Sequence, residues 1–420
     1  MISALQNSRA VGRVSTRQNR PNDFGPASHS GVLLKTTICR SIDEISSQDW
    51  NRLDSPASPF LRHEFLSALE RHGCVGGNTG WCSRHIIAND RAALVGALPL
   101  YVKSHSWGEF VFDWGWAQVY RQAGLDYYPK LVATVPFTPA GSSRFLVRSD
   151  LDRRMVSARL LEAALTEARA LQASSLHLLF VSDADRDLLR DAGFILRKDC
   201  QFHWHNRGYA DFEDFLADFS SAKRKKVRRE RRRVAEAGIE FETLQGSAIG
   251  EALWQHIYAF CASTFTRRGQ LPYLTYEFFL EVSRTLADRL IVILARHRRQ
   301  PVAAAICFRS ENTLYGRYWG SAADQHSLHF ETCYYQGIEL CIRERLARFE
   351  PGTQGEHKIS RGFTPAETWS AHWLAHPAFA SAVRHFVKRE RRQVDAYIAA
   401  VHAHSPYRCG ASTPLSVPVR

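Results

Sequence analysis

A chain of 420 residues, 45% of them hydrophobic, is long for a single core and has ample apolar content to bury two. Its 55 Lys and Arg against 42 Asp and Glu give a net charge of +13, which suits phosphate-bearing or otherwise anionic partners without choosing among them. No stretch approaches the roughly eighteen apolar residues of a membrane span, and nine scattered cysteines, never spaced C-x-x-C, argue for reduced thiols in a cytosolic protein.

Residues 1–30 read as a disordered leader; the arginines at 9, 13, 17 and 20 give it an organelle-targeting composition, but it has no apolar block for secretion. "EFLSALERHG" then predicts a helix ending at Gly73, and "RHIIAND" with "AALVGALPLYVK" a strand pair. The helix "SARLLEAALTEARALQA" feeds the strand "SLHLLFV", and a short helix, "DADRDLLRDAG", leads into "FILRKDCQFHWHN". A domain boundary is expected near Asn206 to Asp211, which divides the fold into residues 31–208 and 209–407, with 408–420 a disordered tail. The second part opens with a predicted helix, "FEDFLADFSSAKRKKVRRERRRVAEAG", then strand "IEFETL" and two helices around 250–287. The strands "RLIVILAR", "PVAAAICFR" and "TLYGRYWGS" are joined by links short enough to force an antiparallel meander. Helix "LHFETCYYQGIELCIRERLA" and strand "RFEPG" follow.

Helix, helix, antiparallel meander, helix, strand is the element order of the GNAT acyltransferase fold, here in tandem. The segments "DWGWAQVYRQAGLDYYPKLVATVPFTPA", "LYGRYWG", "LHFETCYYQGIE" and "RFEPGTQGEHKISRGF", with the run from "QFHWHN" to "AEAGIE", resemble the FemAB-like family. These predicted N-acyltransferases of the GNAT superfamily are also labelled peptidoglycan biosynthesis or recognition proteins. The resemblance runs from about residue 38 to 407. It implies an α/β (α+β) fold of tandem GNAT-like domains, with largely antiparallel mixed sheets flanked by helices, and transfer of an acyl or aminoacyl group to a primary amine in a cleft between the domains.

Such an enzyme brings an amine to an activated acyl carbon, stabilises the oxyanion and disposes of a proton. In "RFEPGTQGEHKISRGF", Lys358 is of the type to face the oxyanion, and His357 or Glu356 to accept the proton. In an extended segment Glu356 and Lys358 would share a face that His357 does not, and a glycine-rich bend relaxes this. The competing reading is a charged surface loop paired in solvent; the resemblance favours chemistry. "TLYGRYWGS" alternates Tyr315, Arg317 and Trp319 with Leu314, Gly316 and Tyr318, and Gly316 and Gly320 would let a ligand approach the backbone. The matching GNAT strand lines the cleft, so Arg317, Tyr318 and Trp319 are candidate substrate contacts, against the plainer reading of a half-buried strand with a salt-bridged arginine. His329 and Glu331 open their helix and could reach the cleft or cap that turn; Tyr335, Gln354 and Arg361 complete this group. From the first domain, Asp113 and Trp114 of "DWGW" and Tyr128 and Lys130 of "YYPK" line the cleft or pack as aromatics. His203 and His205 share one strand face, with no third ligand to make a metal site.

GNAT enzymes hold the coenzyme A pyrophosphate on the amides of an [RQ]-x-x-G-x-[GA] turn. That turn is absent from "SAADQHSLHFE", and "RDAGFI" at 190–195 marks a helix end. The donor therefore stays open between acyl-coenzyme A and the aminoacyl-tRNA used by Fem-type enzymes, whose long helical hairpin has no room here. The run "AKRKKVRRERRR", after the natural caps Ser220 and Ser221, sets nine basic residues against Glu230. Lys223, Arg224, Lys226 and Arg228 are its candidate anion binders, and residues 223–233 could contact nucleic acid or form a solvated helix flank. No P-loop, GxSxG elbow or HExxH supports a kinase or hydrolase. The alternatives are a non-catalytic GNAT-like protein binding a cell-wall precursor or nucleic acid through that helix, and a peripheral membrane protein.

Overall fold

The computed structural model describes residues 34–53, 58–322, 326–353 and 355–408. The expected leader and all but the first residue of the expected tail lie outside them, as does Gln354. In chain order the first half comprises β1 (Leu34–Cys39), α1 (Ser47–Asn51), α2 (His63–Arg71), β2 (Trp81–Ser83), β3 (His85–Asp90), β4 (Ala93–Leu98), β5 (Tyr101–Lys103) and α3 (Trp114–Gln122). β6 (Lys130–Ala133), β7 (Leu146–Val147), α4 (Arg153–Ala170), β8 (Ser175–Leu178), α5 (Asp183–Asp191) and β9 (Ile195–His205) complete it. The second half runs α6 (Phe212–Ala217), α7 (Ser221–Glu236), β10 (Ile239–Gln245), α8 (Glu251–Thr266), α9 (Tyr276–Thr285), β11 (Leu290–His297), β12 (Gln300–Arg309) and β13 (Thr313–Ser321). Then come α10 (Leu328–Phe330), α11 (Gln336–Arg343), β14 (Arg348–Glu350), β15 (Thr364–Leu374) and α12 (Pro377–His402).

An eleven-stranded sheet runs β10-β11-β12-β13-β14-β9-β15-β8-β6-β5-β2, and a four-stranded sheet runs β1-β3-β4-β7. Among the described strands the ladders are antiparallel except for β13 with β14 and β6 with β8, one parallel pair in each half. The unbroken apolar run "LIVIL" of β11 reflects burial on both faces. Val292 and Leu294 meet Trp254, Ile257 and Phe278 of α8 and α9, while Ile291 and Ile293 meet Phe215 of α6 and Ile338 of α11. In the first half Val156, Leu160 and Ala164 of α4 cover Ile86, Ala88 and Val95.

Several expectations need correction. The long basic helix is two, because Phe219 is fully buried and Ser220 takes extended backbone, its N–H donating to Pro406 O at 2.9 Å. Ser220 occupies the cap position of α7 without a side-chain capping bond. The helix after β13 contains a π turn, Glu331–Tyr335, between α10 and α11. β13 does not alternate throughout: Ile306 faces Tyr318 while Cys307 faces Gly316, so Arg317 is a bulge residue and the faces exchange beyond it. β15 and α12 have no counterpart in the predicted elements.

Gly320 serves packing rather than a ligand. A Cβ there would lie 1.8 Å from the Phe260 carbonyl oxygen of α8. Gly320→Ala is expected to cost about 1–3 kcal/mol or more, read as a lower melting temperature, because neither backbone can move aside. Gly115→Ala, with nothing within 4 Å of the added carbon, is the neutral control.

Candidate active site

β13 and β14 pair only over Thr313–Tyr315 with Arg348–Glu350 and then part at the Arg317 bulge. Backbone groups that lose ladder partners need others, and Lys358 Nζ donates to Gly352 O at 2.6 Å. Lys358 is only 1% exposed. Burial pushes its pKa down to about 7, and the nearby Arg317 charge adds to the fall. Arg317 Nη2 donates to Phe137 O of the first half at 2.7 Å, while its buried Nε has no hydrogen-bond partner among the described residues.

Lys358 sits in a 3-10 turn, Glu356–Arg361, bounded by Gly355 (φ +110°) and Gly362 (φ +94°). The expected bend is thus a tight helix, and at about three residues per turn successive side chains point three ways. Lys358 goes inward. His357 is exposed, with Nε2 2.8 Å from Tyr334 Oη. Glu356 is also exposed and accepts a bond from Tyr397 Oη at 2.9 Å. The three candidate catalytic groups therefore diverge from one turn.

Arg361 fixes that turn from below. It donates to His357 O at 2.6 Å and to both carboxylate oxygens of Glu230 at 2.8 and 3.0 Å, with its guanidinium 3.4 Å from the Phe330 ring centroid. Glu230 also accepts from Tyr335 Oη. Arg361 and Tyr335 are thus supports, and Glu230, the lone acid of the basic run, is their anchor. Glu331 is likewise structural: it is buried and bound by Arg231 and Gln336.

The π turn that carries Glu331 is a feature frequent at functional sites. Above it Trp319, His329, Tyr334 and His357 gather, with His329 ring centroids 5.2, 5.3 and 6.0 Å from the other three. Burial lowers the His329 pKa to about 4, so its imidazole is neutral at pH 7. Tyr318 turns the other way, into the α9 core, its ring 5.5 Å from that of Phe279.

On the far side of the turn lies a cleft of about 430 Å³ between β9 and α12, lined by Asp199, Cys200, Glu356, Glu390 and Tyr397 among others. Thr353 and Gly355 also line it, so the carbonyl that holds Lys358 belongs to the residue next to its wall.

The remaining candidates lie apart. His203 and His205 have ring centroids 6.5 Å apart, and His203 is buried with Nε2 3.3 Å from Gln201 Oε1. Among the described residues no group of three or more His, Cys, Asp or Glu is placed to hold a metal ion. Asp113, Trp114, Tyr128 and Lys130 do not line the 430 Å³ cleft. Lys130 is fully buried, bonded to Glu109, Asp113 and Ser106, while Tyr128 Oη meets Ser106 Oγ at 2.8 Å. Tyr127 donates to Asp113 and lies 3.2 Å from His177 Nε2, whose Nδ1 is 2.7 Å from His372 Nδ1, extending a buried polar chain to β15. On α7, Arg228 pairs with Glu213 and Lys226 lies 4.0 Å from Glu230. Lys223 and Arg224 are half-buried, without an ion pair among the described residues.

The parallel pair of the first half is closed differently. Past β6 and β8, the buried Arg144 donates to Leu179 O, Phe180 O and Ala140 O at 2.7, 2.9 and 2.7 Å, filling the space where the strands end. Two halves, each leading antiparallel strands into one parallel pair flanked by helices, make this a tandem GNAT-like fold. The chain belongs to the FemAB-like family, described as peptidoglycan biosynthesis/recognition, whose model matches residues 41–409. No curated protein matches it. Among solved structures the chain is similar to FemX (12% identity, 81% of this chain and 98% of that one, TM-score 0.49). It is also similar to a tandem GNAT protein from the clavulanic acid biosynthesis pathway (12%, 82% and 99%, 0.42) and to L-PGS from Bacillus licheniformis (13%, 78% and 95%, 0.47). No helix of the described residues is long and apolar enough to cross a membrane.

Proposed function

We propose that the chain is an N-acyltransferase that moves an acyl or aminoacyl group onto a primary amine, with the reacting carbonyl held between Lys358 Nζ and Arg317 Nε. One observation supports this reading: the buried Lys358 feels the charge of Arg317, whose buried Nε has no hydrogen-bond partner among the described residues, close to where β13 and β14 part. Preorganised donors in a dry site are worth far more to an oxyanion than the same groups in water. The amine nitrogen attacks the carbonyl carbon, the C–N bond forms, and the C–S or C–O bond to the carrier breaks. His357, whose pKa is lowered first by burial and then by Arg361 and Lys358, is neutral at pH 7 and takes the amine's proton. It passes a proton to the departing thiolate or alkoxide, with Tyr334 fixing its ring. Glu356, which faces the cleft on the far side of the turn, takes no part in this step. Lys223 and Arg224 supply positive potential for the anionic part of a small-molecule or tRNA-borne donor.

The test is incubation with acyl-coenzyme A and aminoacyl-tRNA donors and a panel of primary amines, with products read by mass spectrometry. An N-acylated amine is the expected result. Salt-sensitive retention of donor with no product from any pair would instead assign the chain a binding role.

A further inference from the structure

Residues 106–114 turn acids inward and aromatic rings outward. Their two acids, Glu109 and Asp113, are 2% and 3% exposed and turned onto Lys130, whereas Trp107, Phe112 and Trp114 stand 50%, 53% and 43% exposed. Single exposed apolar side chains are ordinary; a touching group of them next to buried acids is not. The Trp114 ring lies 5.1 Å from that of Trp107 and 5.2 Å from that of Phe112, tilted by 58° and 34°. The rings therefore lack the single plane on which a sugar would stack.

The charge beside them is mostly positive, with Asp126 and Asp395 the exposed acids. Arg121 is the one charged side chain exposed in residues 104–125. Trp116, Ala117 and Tyr120 on the inner face of α3 pack on Val383 and Val387 of α12. α12 exposes Arg384, Lys388, Arg389 and Arg392, none with an ion pair among the described residues, while its two acids, Glu390 and Asp395, are bound by Arg197 and Lys198. We propose that Trp107, Phe112 and Trp114, with these four cations of α12, seat the protein on an anionic lipid bilayer. The rings enter the headgroup layer and the cations meet lipid phosphates. Arg197 donates both to Phe112 O at 2.8 Å and to Glu390, a residue of the cleft wall, so the seat adjoins the cleft.

The experiment sediments full-length protein with mixed phosphatidylglycerol and phosphatidylcholine vesicles, and with phosphatidylcholine alone, while following tryptophan emission. Wild type should pellet with the anionic vesicles and shift its emission to the blue. The triple variant W107S/F112S/W114S should partition about tenfold or more weakly, with wild-type melting because the replaced groups are exposed. L271S, at an 84% exposed leucine elsewhere, should pellet as wild type does. Replacing Arg384, Lys388, Arg389 and Arg392 by Gln should also weaken anionic binding, which keeps the idea testable if the aromatic variant misfolds. Absence of pelleting overturns the proposal. So does a triple variant that pellets like wild type, or binding of glycan strands instead of vesicles through the same three residues.

Discussion

Lys358→Ala is expected to lower kcat/KM by about 10²–10³, the loss typical of removing one oxyanion donor, with the fold intact by circular dichroism. The wild-type rate should also fall as pH rises through about 7, where the buried amine gives up its proton. Lys358→Arg, which stays charged, should retain whatever rate it has above that pH; equal falls in both proteins would remove Lys358 from the chemistry. Stability should move the opposite way. The folded pKa lies below the ordinary 10.5, so between about 7 and 10.5 the unfolded chain holds the proton that the folded chain lacks, and stability rises with pH across that window. Lys358→Met should therefore melt no lower than wild type at pH 6, despite losing the bond to Gly352 O, and its advantage should shrink toward pH 10. A residue that destabilises its own fold near neutrality while turnover depends on it is one retained for function.

Lys130→Met should have the larger structural effect. Lys130 is the counter-ion of two buried carboxylates, and removing one partner of a buried ion group typically costs about 3–5 kcal/mol, because the charges left behind have no solvent. Burial pushes Glu109 up to about 7, whereas Asp113, which burial alone would raise, is held at about 2 by the Lys130 ammonium. Asp113's contribution is therefore complete above about pH 4 and is lost as pH falls toward 2. Urea unfolding of Lys130→Met should show the loss, and Glu109→Gln/Asp113→Asn/Lys130→Met should recover much of it. A single variant as stable as wild type would mean that the network does not hold the first half together.

The meander β11–β13 was legible because its apolar runs end abruptly at "HRRQ" and "SEN", leaving only an antiparallel solution. Lys358 could be singled out by its glycine-flanked setting, but not its burial, which depends on a turn closed by Arg361 and Glu230 across 131 residues of sequence. A signal for Glu230 was present: it lies three residues after Val227 and four before Val234, on the buried face of α7, which makes an acid among nine bases an inward-facing group. α12 could have been found from Phe379, Val383 and Val387, four residues apart, had its charges not masked the spacing. The inward turn of Glu109 and Asp113 was beyond local pattern, since Lys130 of β6 reaches both acids and His177 of β8, backed by His372 of β15, reaches Asp113. The bulge at Arg317 was equally hidden, because only the register against β12 reveals it.

β15 lies between β8 and β9, hydrogen-bonded to both, although more than 150 residues of chain separate it from them. During synthesis the first half must therefore wait with two open strand edges until residue 374 has left the ribosome. A nascent chain halted before that point would expose sticky, half-built sheet.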